Sequence, residues 1–283
     1  MENAFRNEVK AFREMGYNDL YIFGTAGEGY AVTTPMFQRI VKVFREETDV
    51  PGVNAMVGII GMSTSQVMEK LKCAHEVGFR MFQISLPSWG TLTDNECMVF
   101  FRDVCGSFSD SKFLHYNLPR AGRVLQGIDY GRLQEAIPNL VATKNGGLSN
   151  LAIAEIMTEA SKLQHFLVEP VFPYGCLQGE CSLLASLGPL FPSKCKMYFE
   201  CGRDGQFDKL FKLQVEFKQV TEAFFDPARG VARIDGAWDK MIVRASGIEM
   251  PLRLLPPYQG VDSESYEECL ENLKARYPEW IAL

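Results

Sequence analysis

Leu140-Val141-Ala142-Thr143-Lys144-Asn145-Gly146-Gly147 decides how the chain reads. A short apolar run closed by two glycines predicts a buried strand giving way to a loop, and Lys144 stands at that junction. In apolar surroundings the charged form of a lysine is disfavoured. Its pKa then falls from the ordinary value of about 10.4 and leaves an amine able to attack a carbonyl. Taken alone, a lysine after a strand is a solvated loop residue far more often than a nucleophile. The segments around it change that balance.

Working outward, the same unit recurs. Asp19 to Phe23, Val53 to Gly58, Met81 to Pro87, Lys112 to Asn117 and Gln164 to Glu169 read as further strands. Between them, Thr34 to Phe44, with Pro35 near the first turn, Ser63 to Val77, Thr93 to Val104, Asp129 to Ile137 and Leu151 to Lys162 read as helices. A first helix precedes them over Glu2 to Met15, ended by Gly16. Regular strand-helix alternation predicts a parallel α/β fold, and the number of units favours a closed (β/α)8 TIM-type barrel over an open sheet. After Gly202 the pattern becomes helical, with segments over Phe207 to Phe224, Gly236 to Ala245 and Ser263 to Arg276. We therefore expect a barrel over residues 1–202 and a C-terminal helical extension over 203–283, packed on it.

The 283 residues suffice for one large barrel, and 47% hydrophobic with 23% charged residues is a globular composition. A net charge of -6 leaves no surplus of Lys and Arg for phosphates, which argues against nucleic acid as a partner but not against a small anion. The start, Met1-Glu2-Asn3-Ala4-Phe5-Arg6, lacks the apolar core of a signal peptide, and no run is long enough to span a bilayer. A cytoplasmic protein is the expectation. The eight cysteines lack metal-type spacing with His or Asp, so free thiols and no metal site are expected.

Barrel enzymes gather reactive groups at the C-terminal ends of their strands. Here those ends carry Gly24-Thr25-Ala26-Gly27-Glu28, Pro87-Ser88-Trp89, Tyr116-Asn117-Leu118-Pro119-Arg120, and Lys144. A glycine-flanked turn can present backbone N–H groups to a carboxylate, and a tyrosine facing an amine can move protons.

The Gly-Thr-Ala-Gly-Glu turn, the Tyr-Asn-Leu-Pro strand end and the lysine 28 positions after the tyrosine together resemble the pyruvate-dependent class I aldolases of the dihydrodipicolinate synthase and N-acetylneuraminate lyase family. Three motifs in order are far more specific than any one of them, and the resemblance runs from about the first helix to the end of the chain. It implies that Lys144 forms an imine with the keto carbon of pyruvate or a related 2-oxo acid. It implies Tyr116 as general acid/base, and Thr25 with the backbone around Gly24 and Ala26 as the carboxylate holder. Arg120, Trp89 and Glu169 become candidate substrate contacts. No cofactor or metal is implied beyond the covalent imine. A 2-oxo acid and an aldehyde are the implied small-molecule partners, with a homodimer or homotetramer as the assembly.

The departures from the family pattern carry information too. Ala26 stands where relatives have a second hydroxyl. Ser88-Trp89 replaces the tyrosine through which the synthases complete a proton relay in a neighbouring subunit, and Trp has no hydroxyl to relay a proton. That substitution weakens dihydrodipicolinate synthase itself as the activity, and Trp89 points toward hydratase-aldolases of aromatic pyruvate derivatives. The segment after Tyr116 is one residue shorter before its glycine than in the synthases, so Arg120 matches their arginine only loosely. Relatives open with a strand before the first helix, whereas this chain starts at that helix, and we read the difference as a missing first barrel strand.

Bland readings stand beside these. Tyr116 could be strand core, Thr25 an ordinary turn residue, Trp89 a packing or interface residue, Arg120 and Arg123 solvated, and Glu169 a surface carboxylate. His115 should face the helix layer, and His75 and His165 have no partner at useful spacing. The expected activity is a Schiff-base-forming lyase. Within the enzyme class the alternative is a hydratase-aldolase or dehydratase of a sugar-acid or aromatic pyruvate derivative. Outside it the alternative is a silent keto-acid-binding relative or a truncated inactive product.

Overall fold

The computed structural model describes residues 2–229 and 233–281. Seven strands, β1 (Asp19–Ile22), β2 (Asn54–Ile59), β3 (Met81–Ile84), β4 (Lys112–Asn117), β5 (Leu140–Asn145), β6 (Gln164–Val168) and β7 (Ser182–Leu184), form one sheet. They lie in chain order from β1 to β7, and all pairs are parallel. That singly wound order, with a crossover between successive strands, is the TIM-type barrel plan the alternation predicts.

The helices are α1 (Glu2–Glu14), α2 (Thr34–Thr48), α3 (Thr64–Glu76), α4 (Asp94–Gly106), α5 (Gly127–Ala136), α6 (Asn150–Glu159), α7 (Phe172–Cys176), α8 (Pro192–Arg203), α9 (Phe207–Phe225), α10 (Asp235–Ala245), α11 (Ser263–Arg276) and α12 (Pro278–Ile281). Five of them start where a side-chain oxygen catches a free N–H. Thr33 accepts from Met36, Ser63 from Gln66, Ser149 from Ala152 and Asp262 from Ser265, and Thr93 forms a capping box with Glu96. Each such cap is worth about 1 kcal/mol. Among the described residues no helix is long and apolar enough to cross a membrane.

The chain divides into two compact units. One holds Asn18–Gly24 and Val32–Leu184, hence the whole sheet and α2 to α7. Strand alternation gives this sheet two distinct faces. On the helix-facing side lie Val57, Ile59, Phe82, Ile84, Phe113 and Leu167, all buried, and the Phe82 and Phe113 rings tilt together at 5.8 Å. The other unit comprises the segment up to Tyr17, Thr25–Ala31 and the chain from Ala185 onward. Its C-terminal helices pack around Trp280, whose ring meets Phe191 at 5.0 Å and Phe217 at 5.2 Å in edge-on geometry. Burying a side chain such as Phe217 contributes about 2 kcal/mol.

His115 lies on the helix-facing side of β4, as its parity with Tyr116 requires. Its Nδ1 is 2.7 Å from the Tyr130 hydroxyl on α5. Burial pushes its pKa down to about 3, so the ring is neutral in the native state, whereas the unfolded chain protonates it near pH 6.5. Between those values the unfolded state binds more protons, and stability is lost as pH falls. The expected result is a loss from this side chain approaching 1.4 kcal/mol per pH unit below about pH 6. Urea unfolding of wild type and His115→Gln from pH 7 to pH 4 should show the flatter slope in the variant.

Candidate active site

The site begins with the turn out of β1. Phe23 takes a left-handed backbone (φ 65), uncommon for a residue with a side chain. Its ring stacks on Phe37 at 5.0 Å, and both rings are buried, which offsets the backbone cost. The turn throws Gly24 across the Tyr21 side chain. A Cβ on Gly24 would lie 2.2 Å from the Tyr21 hydroxyl oxygen, so only glycine fits there. Gly58 on β2 is constrained likewise, with the Phe23 carbonyl oxygen 2.6 Å from where its Cβ would be.

Tyr21 spans the inner face of the sheet. Its hydroxyl donates to Gln83 Oε1 on β3 at 2.8 Å, and burial, followed by the neighbouring Tyr116, pushes its pKa well above the usual phenol range. It stays a protonated donor. Gln83 is fully buried, and its Nε2 finds no hydrogen-bond partner among the described residues.

Tyr116 and Lys144 are register partners on β4 and β5. Lys144 Nζ sits over the Tyr116 ring, 4.0 Å from its centroid, and 5.2 Å from the centroid of the Tyr21 ring. Across β5 and β6 Lys144 faces Phe166. The lysine is half-buried and Tyr116 buried. The amine therefore lies against two phenol rings.

Behind this face, on the helix-facing side, a polar chain holds the strand ends. Asn117 Nδ2 donates to the Leu125 carbonyl at 2.9 Å and to Asn145 Oδ1 at 3.0 Å, while Leu125 N–H donates back to Asn117 Oδ1 at 2.9 Å. Asn145 Nδ2 donates to Thr143 Oγ1 at 2.8 Å, which in turn lies 2.8 Å from His165 Nδ1. His165 so has a partner that sequence spacing alone did not show. Asn117 clamps the 118–125 turn and ties β4 to β5 at the level of Lys144. The expected cost of Asn117→Ala is about 2–4 kcal/mol, from lost bonds and buried groups left unpaired. Chemical denaturation with an unchanged slope against denaturant would check it.

In the other unit, Thr25 is buried and its carbonyl accepts from Glu28 N–H at 3.1 Å. The Ala26 carbonyl lies against Gly236, 2.9 Å from where a Cβ would stand. Glu28, at φ 55, is buried. Its carboxylate takes Lys240 Nζ at 2.5 Å and the Leu255 N–H at 2.6 Å, so it fastens the turn to the segments around α10. Nothing in the sequence pairs Glu28 with a lysine over two hundred residues away.

The remaining candidates divide. Glu169, just past β6, is buried rather than at the surface. Trp89 is 84% exposed in the loop after β3. Arg120 lies exposed on a short 3-10 turn, Pro119–Ala121. Arg123 is engaged by Asp94 at 2.7 Å and Asp129 at 3.0 Å, which makes it a structural tie rather than a free anion receptor. His75 pairs with Asp110 at 2.9 Å.

A singly wound parallel sheet with a lysine and a tyrosine side by side on its inner face defines a class of barrel proteins with an amine at the strand ends. The chain belongs to the dihydrodipicolinate synthetase family, whose model matches residues 2–276. It is 27% identical over 157 residues to 4-hydroxy-tetrahydrodipicolinate synthase of Methanothrix thermoacetophila, covering 55% of this chain and 52% of that one, about half its length. It is 19% identical over 220 residues to N-acetylneuraminate lyase 2 of Escherichia coli O6:H1, covering 77% of this chain and 72% of the other. Among solved structures, YagE of E. coli K12, a prophage protein of the dihydrodipicolinic acid synthase family crystallised with pyruvate, superposes with a TM-score of 0.86 at 15% identity. The superposition covers 97% of this chain and 92% of that one.

Proposed function

We propose that the protein is a Schiff-base-forming lyase or aldolase acting on pyruvate or another 2-oxo acid, making or breaking a C–C bond. The observation that carries the reading is the Lys144 amine held 4.0 Å from the Tyr116 ring on the adjacent strand. Lys144 attacks the keto carbon, water leaves, and the protonated imine draws electrons from the neighbouring carbon, which can then lose a proton or a carbon substituent. Tyr116 moves the protons, taking one from the amine and delivering one to the departing oxygen. Thr25, with the backbone of Gly24 and Ala26, holds the carboxylate. Glu169 and Arg120 meet the rest of the substrate. The imine on Lys144 takes the place of a cofactor, and a cytoplasmic homo-oligomer is the working form. The exposed Trp89 ring, in place of a relay tyrosine, favours a larger or aromatic pyruvate derivative, with hydratase-aldolase or dehydratase chemistry, as the second reading.

Borohydride reduction with pyruvate, followed by peptide mass mapping, tests the proposal. A reduced pyruvyl group on the peptide containing Lys144 is the expected result. A folded protein without an adduct would refute imine formation with pyruvate, and a ligand-binding protein without catalysis would then be the better description.

A further inference from the structure

The mechanism above needs the imine nitrogen to stay protonated, because a neutral imine is a poor electron sink. Two rings meet the nitrogen in question. Tyr116 lies 4.0 Å and Tyr21 5.2 Å from Lys144 Nζ to ring centroid, both within the reach at which a ring face attracts a cation. Tyr116 comes with the family motif, but Tyr21 belongs to no motif in the chain. Its placement is nonetheless built. The hydroxyl is tethered to Gln83 at 2.8 Å, and Gly24 leaves the space that the hydroxyl fills. Gln83 is a fully buried amide on a strand whose neighbours are apolar, with its Nε2 unpaired. An amide buried at that cost has a function to serve.

We infer that Tyr21 is a catalytic residue of the lysine site, whose ring forms with Tyr116 an aromatic cage that keeps the imine nitrogen positively charged, and that Gln83 positions it. The inference rests on the imine reading. In the step concerned, the amine and the ketone, with one proton, give the iminium and one water. The cage holds that proton on nitrogen until the α-carbon has lost its own proton or its substituent. Of the groups facing Lys144, Tyr116 from β4 and Tyr21 from β1 are titratable, and Phe166 from β6 is not. Glu169, the first residue past β6, is the acidic group at the end of that neighbouring strand. The variants below leave it unchanged, so its charge enters each measurement equally.

Cyanoborohydride reduces the protonated imine, whereas borohydride traps the total. The ratio of the two yields at saturating pyruvate, followed from pH 6 to pH 10, reports the midpoint at which the imine loses its proton. The expected result for Tyr21→Leu is a midpoint lower by about one pH unit, the shift that a ring worth about 1–2 kcal/mol to a cation produces. Tyr21→Phe keeps the ring but, like Gln83→Leu, loses the 2.8 Å tether, and the midpoints of both fall between wild type and Tyr21→Leu. Tyr21→Met, closer to tyrosine in volume, repeats the test if the leucine variant melts early. An adduct that forms in Tyr21→Leu or Tyr21→Met with an unmoved midpoint would overturn the cage while leaving the imine reading intact. Absence of any borohydride adduct in the wild type would remove the imine reading itself, and the cage with it.

Discussion

Lys144→Ala is expected to abolish both turnover and the borohydride-stable pyruvyl adduct while the chain remains folded. Loss of a covalent nucleophile lowers kcat by about four to six powers of ten. The fold should tolerate the change. Lys144 lies half-buried among Tyr21, Tyr116 and Phe166, and truncating a half-buried side chain costs far less than emptying a fully buried core position. A melting curve within a few degrees of wild type, with no labelled peptide and no product in a single-turnover assay, is the full signature. Residual turnover at a tenth of the wild-type rate would place the nucleophile elsewhere.

Tyr116→Phe separates the two things this tyrosine offers. The ring stays over the amine, so the imine still forms and is still trapped. The hydroxyl is gone, so proton delivery slows, and turnover should fall by about two to four powers of ten, the ordinary worth of general acid/base catalysis. The comparison to make is adduct yield against steady-state rate in the same preparation. Equal losses in both would mean that the hydroxyl acts in imine formation alone, and unchanged turnover would remove it from the chemistry.

The parts of the fold legible in the sequence are those whose period is long enough to count. β4 follows the predicted bounds from Lys112 to Asn117, and α3 falls one residue short of the predicted Ser63 to Val77 at each end. The long helix from Phe207 ends one residue beyond its predicted end. α7 and β7 were not readable. Phe172-Pro173-Tyr174-Gly175-Cys176 is too short and too interrupted to show a helical period, and the three residues Ser182–Leu184 are fewer than alternation needs. α8 opens at Pro192 after an apolar stretch without a polar cap, so its start had no signal.

The lysine and the tyrosine were legible by position, since 28 residues span one helix and return to the adjacent parallel strand. Tyr21 and Gln83 were not. An aromatic and an amide in two separate strands look like core and accident until the sheet brings them within hydrogen-bond distance. Glu169 reads as a surface carboxylate because acidic residues mostly are, and only the tertiary fold around the end of β6 buries it.

The close approach of the Tyr21 hydroxyl to Gly24 couples two positions three residues apart. Alanine at 24 is excluded only while a tyrosine occupies 21; with a small side chain at 21, a Cβ at 24 becomes admissible. The effects of substitutions at these two sites are therefore epistatic. A library that varies position 24 alone would find it immutable, whereas joint variation with position 21 opens the floor of the barrel to substrates of another shape.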